Sequence, residues 1–363
     1  MKISILPFLL TLFFVTSIAQ TIDFNYADPQ PDFLDTYGGS FASGDIDGDG
    51  DNDLLIGGGP TGGVALYLND GFGEFTQVQD NPVTLLNVSS TQTQFADLDG
   101  DGDLDLFFSG RASGVPQFTH IYINNGQGTL SSTSNPSLLE LQVGSFAIDD
   151  VDGDDDLDLL IAGLNADEDN FVDIFLNDGN ANFSPEGYTV FTSEIGDPVQ
   201  SFDATTFVDV ENDGDLDVIL CGSTESAFVT LYLNDGLGNY TVNSNTGFIQ
   251  LSGGDLDASD IDNDGDIDIL ITGSSDIGEI RTILYINDGD GQFTELSTAE
   301  LQNTFAGKNA IADLDNDGDQ DILITGSQDG GLPNVYNIIY ENLGNNEFSP
   351  VDTIGGEYIS NCV

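Results

Sequence analysis

The chain has 363 residues, enough for one large domain or two ordinary ones with a sizeable core. It carries 64 acidic residues against 4 basic ones, a formal net charge of −60, and such a surface repels nucleic acid and anionic lipid. Because 39% of the residues are hydrophobic, and 24 of them are Phe, the charge does not indicate a disordered chain.

The first segment has the pattern of a secretory signal peptide. It reads MKISILPFLLTLFFVTSIAQ, in which one Lys precedes an apolar run and the small residues Ser17 and Ala19 mark a cleavage position. We predict that residues 1–19 are removed and that the mature chain, beginning at Gln20, is secreted or displayed on the cell surface. A membrane anchor is the alternative, but the run is short for a span, and no other stretch suits membrane insertion.

The rest of the chain, residues 20–363, contains six copies of one acidic motif. The first copy reads DIDGDGDND, and the others follow at intervals of 52, 53, 59, 51 and 53 residues. The copies occupy residues 45–53, 97–105, 150–158, 209–217, 260–268 and 313–321. A fixed period of this length indicates one structural unit per copy.

Each acidic motif precedes a pattern of strands. It runs into a near-continuous apolar stretch such as LLIGG or VILCG, as expected for a strand covered on both faces. A second apolar strand then ends in an Asn-Asp-Gly-type turn, which favours a hairpin. We expect the strand after this hairpin to begin at Phe75, Leu130, Phe183, Tyr240, Phe293 and Phe348.

These strands define the predicted fold. One strand into the acidic loop, one out of it and a hairpin give a four-stranded antiparallel unit of about 50 residues, which predicts an all-β fold, the β-propeller, as a single domain. A linear β-solenoid is the main alternative, but its repeats are shorter and lack four strands.

The ends of the chain bear on the number of blades. Residues 21–40 match the spacing of a fourth strand, and the stretch after Phe348 reaches the point where a further first strand would run. We therefore predict a seven-bladed propeller with six complete repeats and an incomplete last blade, to be closed by the N-terminal strand. A six-bladed ring with spare end strands is the alternative.

The acidic loop has the composition of a site for a hard cation. Counted from its first Asp, it has acidic side chains at positions 1, 3, 5 and 9, and position 7 can offer its backbone carbonyl. Oxygen ligands of this kind suit Ca²⁺, about one ion per loop, better than Mg²⁺ or zinc. The candidate ligands are Asp45, Asp47, Asp49, Asp51 and Asp53; Asp97, Asp99, Asp101, Asp103 and Asp105; Asp150, Asp152, Asp154, Asp156 and Asp158; Asp209, Glu211, Asp213, Asp215 and Asp217; Asp260, Asp262, Asp264, Asp266 and Asp268; and Asp313, Asp315, Asp317, Asp319 and Asp321.

The loop differs from an EF-hand, because position 12 is an apolar strand residue such as Ile56 instead of a bidentate Glu. Two copies depart from the repeat. The fourth has Glu211 at position 3, and the third has Asp155 where the others have Gly at position 6. We expect these two loops to bind calcium least tightly.

The motifs D-x-D-x-D-G-x-x-D and LYLNDGxGxF resemble those of FG-GAP/VCBS repeats, the units of the integrin α-subunit head propeller. The resemblance covers residues 22–363. It implies a seven-bladed propeller with calcium in loops on one face, and extracellular adhesion or ligand binding. The inserted adhesion domain of integrins has no counterpart here, so integrin-like ligand recognition does not transfer.

The sequence is compatible with three classes of function. The first is a secreted or cell-surface binding module that acts as a monomer on an extracellular protein or glycan. The second is a lectin, or the binding domain of a larger extracellular enzyme, although the chain has no Trp and its repeated Tyr67, Tyr122, Tyr232, Tyr285 and Tyr340 suit core packing. An enzyme is the third and is disfavoured, because the sole His has no repeat partner and no nucleophile motif is present.

Overall fold

The computed structural model describes Phe33 and residues 39–353, with gaps at 59–62, 73, 80, 86–87, 89, 112–117, 134, 136, 139–140, 166, 168, 188–190, 192–198 and 330–334. Within these residues the chain forms six four-stranded antiparallel sheets, each made of four strands consecutive in sequence. The expected signal peptide, residues 1–19, lies outside the described residues. The described part of the chain contains no helix long and apolar enough to cross a membrane.

Each sheet is one blade of the propeller. Blade 1 comprises β1 (Ser40–Gly44), β2 (Asp53–Gly57), β3 (Val64–Asn69) and β4 (Phe75–Gln77), and a 3₁₀ turn follows at Pro82–Leu85. Blade 2 comprises β5 (Ser90–Ala96), β6 (Asp105–Arg111), β7 (Phe118–Ile123) and β8 (Ser131–Ser132). Blade 3 comprises β9 (Gln142–Asp149), β10 (Asp158–Leu164), β11 (Asn170–Asn177) and β12 (Phe183–Pro185). Blade 4 comprises β13 (Ser201–Val208), β14 (Asp217–Ser223), β15 (Ala227–Asn234) and β16 (Tyr240–Asn243). Blade 5 comprises β17 (Leu256–Ser259), β18 (Asp268–Ser274), β19 (Ile280–Asn287) and β20 (Phe293–Glu295). Blade 6 comprises β21 (Asn309–Ala312), β22 (Asp321–Ser327), β23 (Val335–Asn342) and β24 (Phe348–Thr353).

The propeller has six blades, so our prediction of seven is wrong and the six-bladed alternative is confirmed. The reason lies in the first blade, which takes all four of its strands from one continuous segment between Ser40 and Gln77. It therefore needs no strand from the other end of the chain. The terminal segments that we assigned to a seventh blade fall largely outside the described residues.

The acidic loop joins the first and second strands of every blade. Its position 9 is the first residue of the second strand, as Asp53 is in β2 and Asp105 in β6. Position 12 consequently lies inside that strand, as predicted. The strand after the hairpin begins at five of the six predicted residues, and in blade 2 it begins at Ser131, one residue later than expected.

Apolar side chains join successive blades face to face. In the second strand of blade 2, Leu106 and Phe108 pack in a core shared with blade 1, whereas Phe107 packs in a core shared with blade 3. Because side chains alternate between the two faces of a strand, a continuous apolar run supplies both neighbours. Further cores join blade 3 to blade 4, blade 4 to blade 5, and blade 5 to blade 6.

The five repeated tyrosines belong to this packing. Each of them is at most 5% exposed. Tyr232, Tyr285 and Tyr340 also use their hydroxyl groups inside the protein, in hydrogen bonds with backbone atoms of Phe191, Ile249 and Gln302. These tyrosines are core residues, as the repeat predicted, and they leave no exposed ring for a ligand.

Candidate metal centres in the acidic loops

The first Asp of each acidic loop holds the backbone of the turn. In loop 1, Asp45 Oδ1 accepts hydrogen bonds from the N–H groups of Gly48 and Asp49 at 2.8 and 3.0 Å, and Oδ2 accepts one from Gly50 at 2.9 Å. All six loops repeat the bond from position 6 to position 1. This Asp therefore shapes the loop from within, as short polar side chains do in turns.

Two residues of each loop adopt left-handed backbone conformations. Position 6 has positive φ, from 100° at Gly265 to 72° at Asp155, so Asp155 takes the backbone shape that its position requires. Position 4 has positive φ as well, for example 77° at Gly48 and 61° at Asn263. The sequence carried a signal for this second position, because every copy has Gly or Asn there, the residues that tolerate such conformations best.

The Asp at position 9 is the most buried of the acidic side chains and binds two backbone segments. In blade 5, Asp268 Oδ2 accepts the N–H of Ile261 at 3.0 Å, and its Oδ1 accepts the N–H of Asn287 at 2.8 Å. The same pair of bonds occurs in all six blades. This carboxylate thus connects the loop to the end of the third strand.

Burial makes these position 9 carboxylates reluctant to ionise. It raises the pKa of Asp105 and Asp158 to about 6 and that of Asp217 and Asp268 to about 7, although the backbone hydrogen bonds act in the opposite direction. Nearby aspartates of the same loop raise these pKa values further. A positive charge in the loop would lower these pKa values, because it stabilises the ionised form of each carboxyl.

The Asp at position 3 supplies a buried oxygen that accepts no hydrogen bond from the protein. These atoms are Oδ1 of Asp47, Asp99 and Asp262 and Oδ2 of Asp315. Burial raises the pKa of all four carboxyls, and the neighbouring carboxylate at position 5 adds to the effect in each. A buried polar atom without a partner is costly, so these oxygens indicate a ligand that binds them.

Carboxylate oxygens converge in five of the six loops. In each, three oxygen atoms from different residues lie within 4.8 Å of one another. The groups are Asp45, Asp47 and Asp53; Asp97, Asp99 and Asp101; Asp150, Asp152 and Asp158; Asp260, Asp262 and Asp268; and Asp313, Asp315 and Asp321. Oxygens this close can share one cation at the roughly 2.3–2.6 Å typical of Ca²⁺. The residues therefore fit a calcium ion, with positions 1, 3 and 9 or 5 as its side-chain ligands.

Loop 4 differs from the other five. Among the described residues, its acidic side chains do not form a group of this kind. Position 3 is Glu211, whose longer side chain departs from the Asp geometry, and burial and Asp213 raise its pKa. Of its other carboxylates, Asp209, Asp213 and Asp217 accept the same backbone hydrogen bonds as their counterparts in loop 5.

The position 7 carboxylates point toward the hairpin turn. Asp51 lies so close to Gly71 that a Cβ on this glycine would come within 2.2 Å of its Oδ2, and Asp103 crowds Gly126 in the same way. Two of these carboxylates also accept a hydrogen bond from the preceding loop, from Asn212 to Asp266 and from Asn263 to Asp319. The side chains at position 7 therefore connect neighbouring elements, which leaves the backbone carbonyl as their possible metal ligand.

Sequence reasoning treated the Asn that ends the third strand only as a turn residue, and the structure gives it a second role. In blade 3, Asn177 Nδ2 donates to the carbonyl of Leu98 in loop 2 at 2.8 Å and to Leu157 in its own loop at 3.0 Å. Bonds to the preceding loop recur from Asn124, Asn287 and Asn342. The signal was its presence in all six copies, because an Asp-Gly pair alone would have made the turn.

Between blades 3 and 4, the Asn that ends the third strand does not bond to the preceding loop. This interface contains a cleft of about 330 Å³. Here Asn234 Nδ2 donates to the Leu216 carbonyl and to the Tyr240 hydroxyl, both in its own blade. The cleft is lined by Asp150, Val151, Asp152, Gly153, Leu176, Glu186, Gly214, Asp215, Asn234, Gly236, Leu237, Gly238 and Tyr240. It therefore joins loop 3 to the hairpin of the next blade.

A family model described as FG-GAP-like repeat matches this chain at residues 45–108, 150–220, 209–271 and 260–324. The chain belongs to the FG-GAP-like repeat family. Each matched segment begins at the first Asp of an acidic loop, so the motif that carries the match is the one whose geometry is described above. No curated protein matches the chain.

Solved structures share the fold at low sequence identity. AofleA from Arthrobotrys oligospora is 12% identical over 87% of each chain, with a TM-score of 0.50, and a mutant of the same protein gives 15% and 0.51. A fucoside complex of the lectin from Aleuria aurantia is 9% identical, covers 87% of this chain and 94% of that one, and has a TM-score of 0.46. The AofleA similarity supports the propeller fold alone.

Proposed function

We propose that this chain is an exported, calcium-stabilised propeller that binds an extracellular protein or glycan as a monomer and serves in adhesion. The observation that carries the calcium part is the set of five carboxylate clusters, four of which contain a buried oxygen without a protein partner. Family membership and the large acidic surface support a role in binding. The signal-peptide pattern of residues 1–19 supports export.

Calcium would act as a structural ligand. Carboxylates a few Å apart repel one another by about 1 kcal/mol per pair at 4 Å even in bulk water, and by more inside a protein. A divalent cation replaces this repulsion by attraction and binds only the folded loop, so it stabilises the fold by mass action. Since position 9 also connects the loop to the third strand, the ion would hold three segments of one blade together.

The described residues support binding better than catalysis. His120, the sole histidine, lies in β7 near the ring of Tyr122, and burial lowers its pKa. The carboxyls with raised pKa values are mostly candidate calcium ligands. These groups are therefore explained by packing and by metal binding, with no acid–base pair required.

Two measurements test this proposal. Presented to arrays of extracellular proteins and glycans, the calcium-loaded protein should be retained by at least one class, and EDTA should abolish the retention. Retention that is unaffected by EDTA, or none at all, contradicts the proposal. Mass spectrometry of the protein exported by a bacterial host should find Gln20 at the N-terminus, and an intact Met1 would contradict the signal peptide.

Of the two ligand classes, the cleft between blades 3 and 4 favours a glycan. Its wall is rich in acceptors, among them the carboxylates of Asp152 and Glu186. Leu176 and Leu237 add apolar surface, and Leu237 is 84% exposed. A saccharide matches such a wall, because its hydroxyl groups can donate to the carboxylates and its apolar C–H face can pack on the leucines.

The glycan hypothesis predicts that Leu237→Ala and Glu186→Ala each weaken binding of the recognised sugar. Leu343→Ala is the matched control, because Leu343 is 55% exposed on the hairpin of blade 6 and does not line the cleft. Equal glycan binding by all three variants would exclude the cleft as the site.

A further inference from the structure

The carboxylate cluster of loop 5 is contacted by a side chain that lies outside the repeated acidic motif. Asn346, on the hairpin of blade 6, places its Nδ2 atom 3.3 Å from Oδ2 of Asp262, the position 3 carboxylate of loop 5 in the preceding blade. The two residues are 84 positions apart in sequence. This contact brings an amide group from blade 6 to the carboxylate cluster of blade 5.

Both partners of this contact also have an oxygen that lacks a protein partner. Oδ1 of Asn346 and Oδ1 of Asp262 are buried, and neither accepts a hydrogen bond from the protein. A buried acceptor without a partner is costly, and each of these two atoms needs a donor or a cation. Asn carbonyl oxygens are ordinary calcium ligands, so one ion can satisfy both atoms.

The sequence makes Asn346 specific to this interface. At the equivalent position of the hairpin, four blades have a glycine and blade 3 has an alanine: Gly73, Gly128, Gly238, Gly291 and Ala181. Asn346 has φ of 61°, a left-handed conformation that Gly would adopt at no cost. Among the six hairpins, only Asn346 therefore has a polar side chain at this position.

The hairpin of blade 6 is held against loop 5 by further contacts. Asn342 Nδ2 donates to the carbonyl of Ile261 at 3.0 Å, and Asn263 of loop 5 donates to Asp319 of loop 6 at 2.9 Å. The backbone around Asn346 is therefore fixed relative to Asp262, and its amide needs only side-chain rotation to turn its oxygen toward the cluster.

We propose that Asn346 is a calcium ligand of loop 5, so that this ion joins blade 5 to blade 6. The inference rests on the proposed calcium binding of the loops. It assigns one site in the propeller a ligand from the neighbouring blade.

Calcium titration of the full chain against a competing fluorescent chelator tests this assignment. Asn346→Gly, which installs the residue found in four of the other five hairpins, should weaken one site about tenfold, the scale on which single groups at metal centres act. Asn345→Gly is the matched control, because Asn345 also has positive φ, 55°, and is exposed on the same turn. This control should leave all sites unchanged.

Two further variants separate the possible failures. Asp260→Ala should remove one ion altogether, and in that background Asn346→Gly should have no additional effect. Asn346→Asp, which retains an oxygen ligand, should bind calcium at least as tightly as the wild type. If Asp260→Ala removes an ion but Asn346→Gly leaves every affinity unchanged or tighter, the Asn346 assignment is overturned while calcium binding stands. If Asp260→Ala removes no ion, loop 5 binds none and both proposals fail there.

Discussion

Asn177 donates a 2.8 Å hydrogen bond to the carbonyl oxygen of Leu98, and this bond joins the end of a strand in blade 3 to the acidic loop of blade 2. The same side chain also binds Leu157 in its own blade. Blades in this propeller are thus joined by a polar contact beside the acidic loops as well as by apolar packing.

This contact predicts a stability effect. Asn177→Ala leaves two backbone carbonyls without their donor and should lower the free energy of unfolding by about 2 kcal/mol. Urea denaturation in excess calcium measures it, with Asn180→Ala as control, because Asn180 is exposed on the same hairpin. Equal stability of the two variants would contradict a structural role for Asn177.

A carboxylate between the first strands of blades 5 and 6 predicts that the stability of the fold depends on pH, independently of the acidic loops. Asp257 accepts hydrogen bonds from Ile311 of the next blade and from Ala258, and burial raises its pKa from 3.8 to about 6, with Asp255 adding to this and Lys308 opposing it. Between about pH 4 and 6 the folded state retains a proton that the unfolded state releases, so stability falls as pH rises through this window, by at most about 3 kcal/mol.

Asp257→Asn cannot ionise and should lose this part of the slope. The test compares the pH dependence of unfolding for wild type, Asp257→Asn and the exposed control Glu300→Gln, all in saturating calcium. Because Asn keeps only one acceptor oxygen, the slope is the informative quantity, and parallel curves for all three proteins would contradict the assignment.

The buried carboxylate at position 3 of loop 6 predicts that its replacement changes the melting temperature differently with and without calcium. Asp315 is 3% exposed, and one of its oxygens has no protein partner. Without calcium, Asp315→Asn removes a buried charge and should leave the melting temperature unchanged or raise it. With calcium it removes a ligand and should lower the melting temperature by several degrees.

Differential scanning calorimetry in calcium and in EDTA measures both signs for Asp315→Asn. Glu347→Gln, an exposed acid of the same blade, is the control and should show no difference between the two conditions. A loss of stability in EDTA equal to that in calcium would show that Asp315 has a structural role unrelated to metal.

The Glu at position 3 of loop 4 predicts that a single substitution can add a calcium site. Glu211→Asp restores the side chain present at position 3 of the other five loops, so this variant should bind one more calcium ion than the wild type at low micromolar free calcium. Equilibrium dialysis with metal analysis measures the number of ions. Asp155→Gly, which restores Gly in loop 3, should tighten an existing site without changing that number. Equal ion numbers for wild type and Glu211→Asp would exclude Glu211 as the cause of the weaker loop.

Sequence reasoning found the features that repeat. The spacing of the acidic motif gave the four-stranded unit, and the burial of Tyr232 and Tyr285 follows from their recurrence in a strand. Local patterns could identify these because hydrophobic period and turn residues act within a few positions. The number of blades depends on which segments supply the strands of blade 1, which the repeat does not encode, and there the spacing favoured seven instead of six.

Contacts between blades could not be predicted from the sequence either. Asn346 and Asp262 are far apart in the chain, and only packing of the blades brings them together. The same applies to the cleft at Tyr240, which depends on one hairpin bonding within its own blade. Substitutions in otherwise regular repeats, such as Asn for Gly at 346, were visible, but their partners were not.

The most direct test of the calcium account is metal analysis of the purified protein after dialysis, combined with its melting temperature in millimolar calcium and in EDTA. The account predicts about one bound calcium ion for each of the five carboxylate clusters and a melting temperature that falls markedly on chelation. A protein that retains no calcium and melts at the same temperature in both solutions would contradict it.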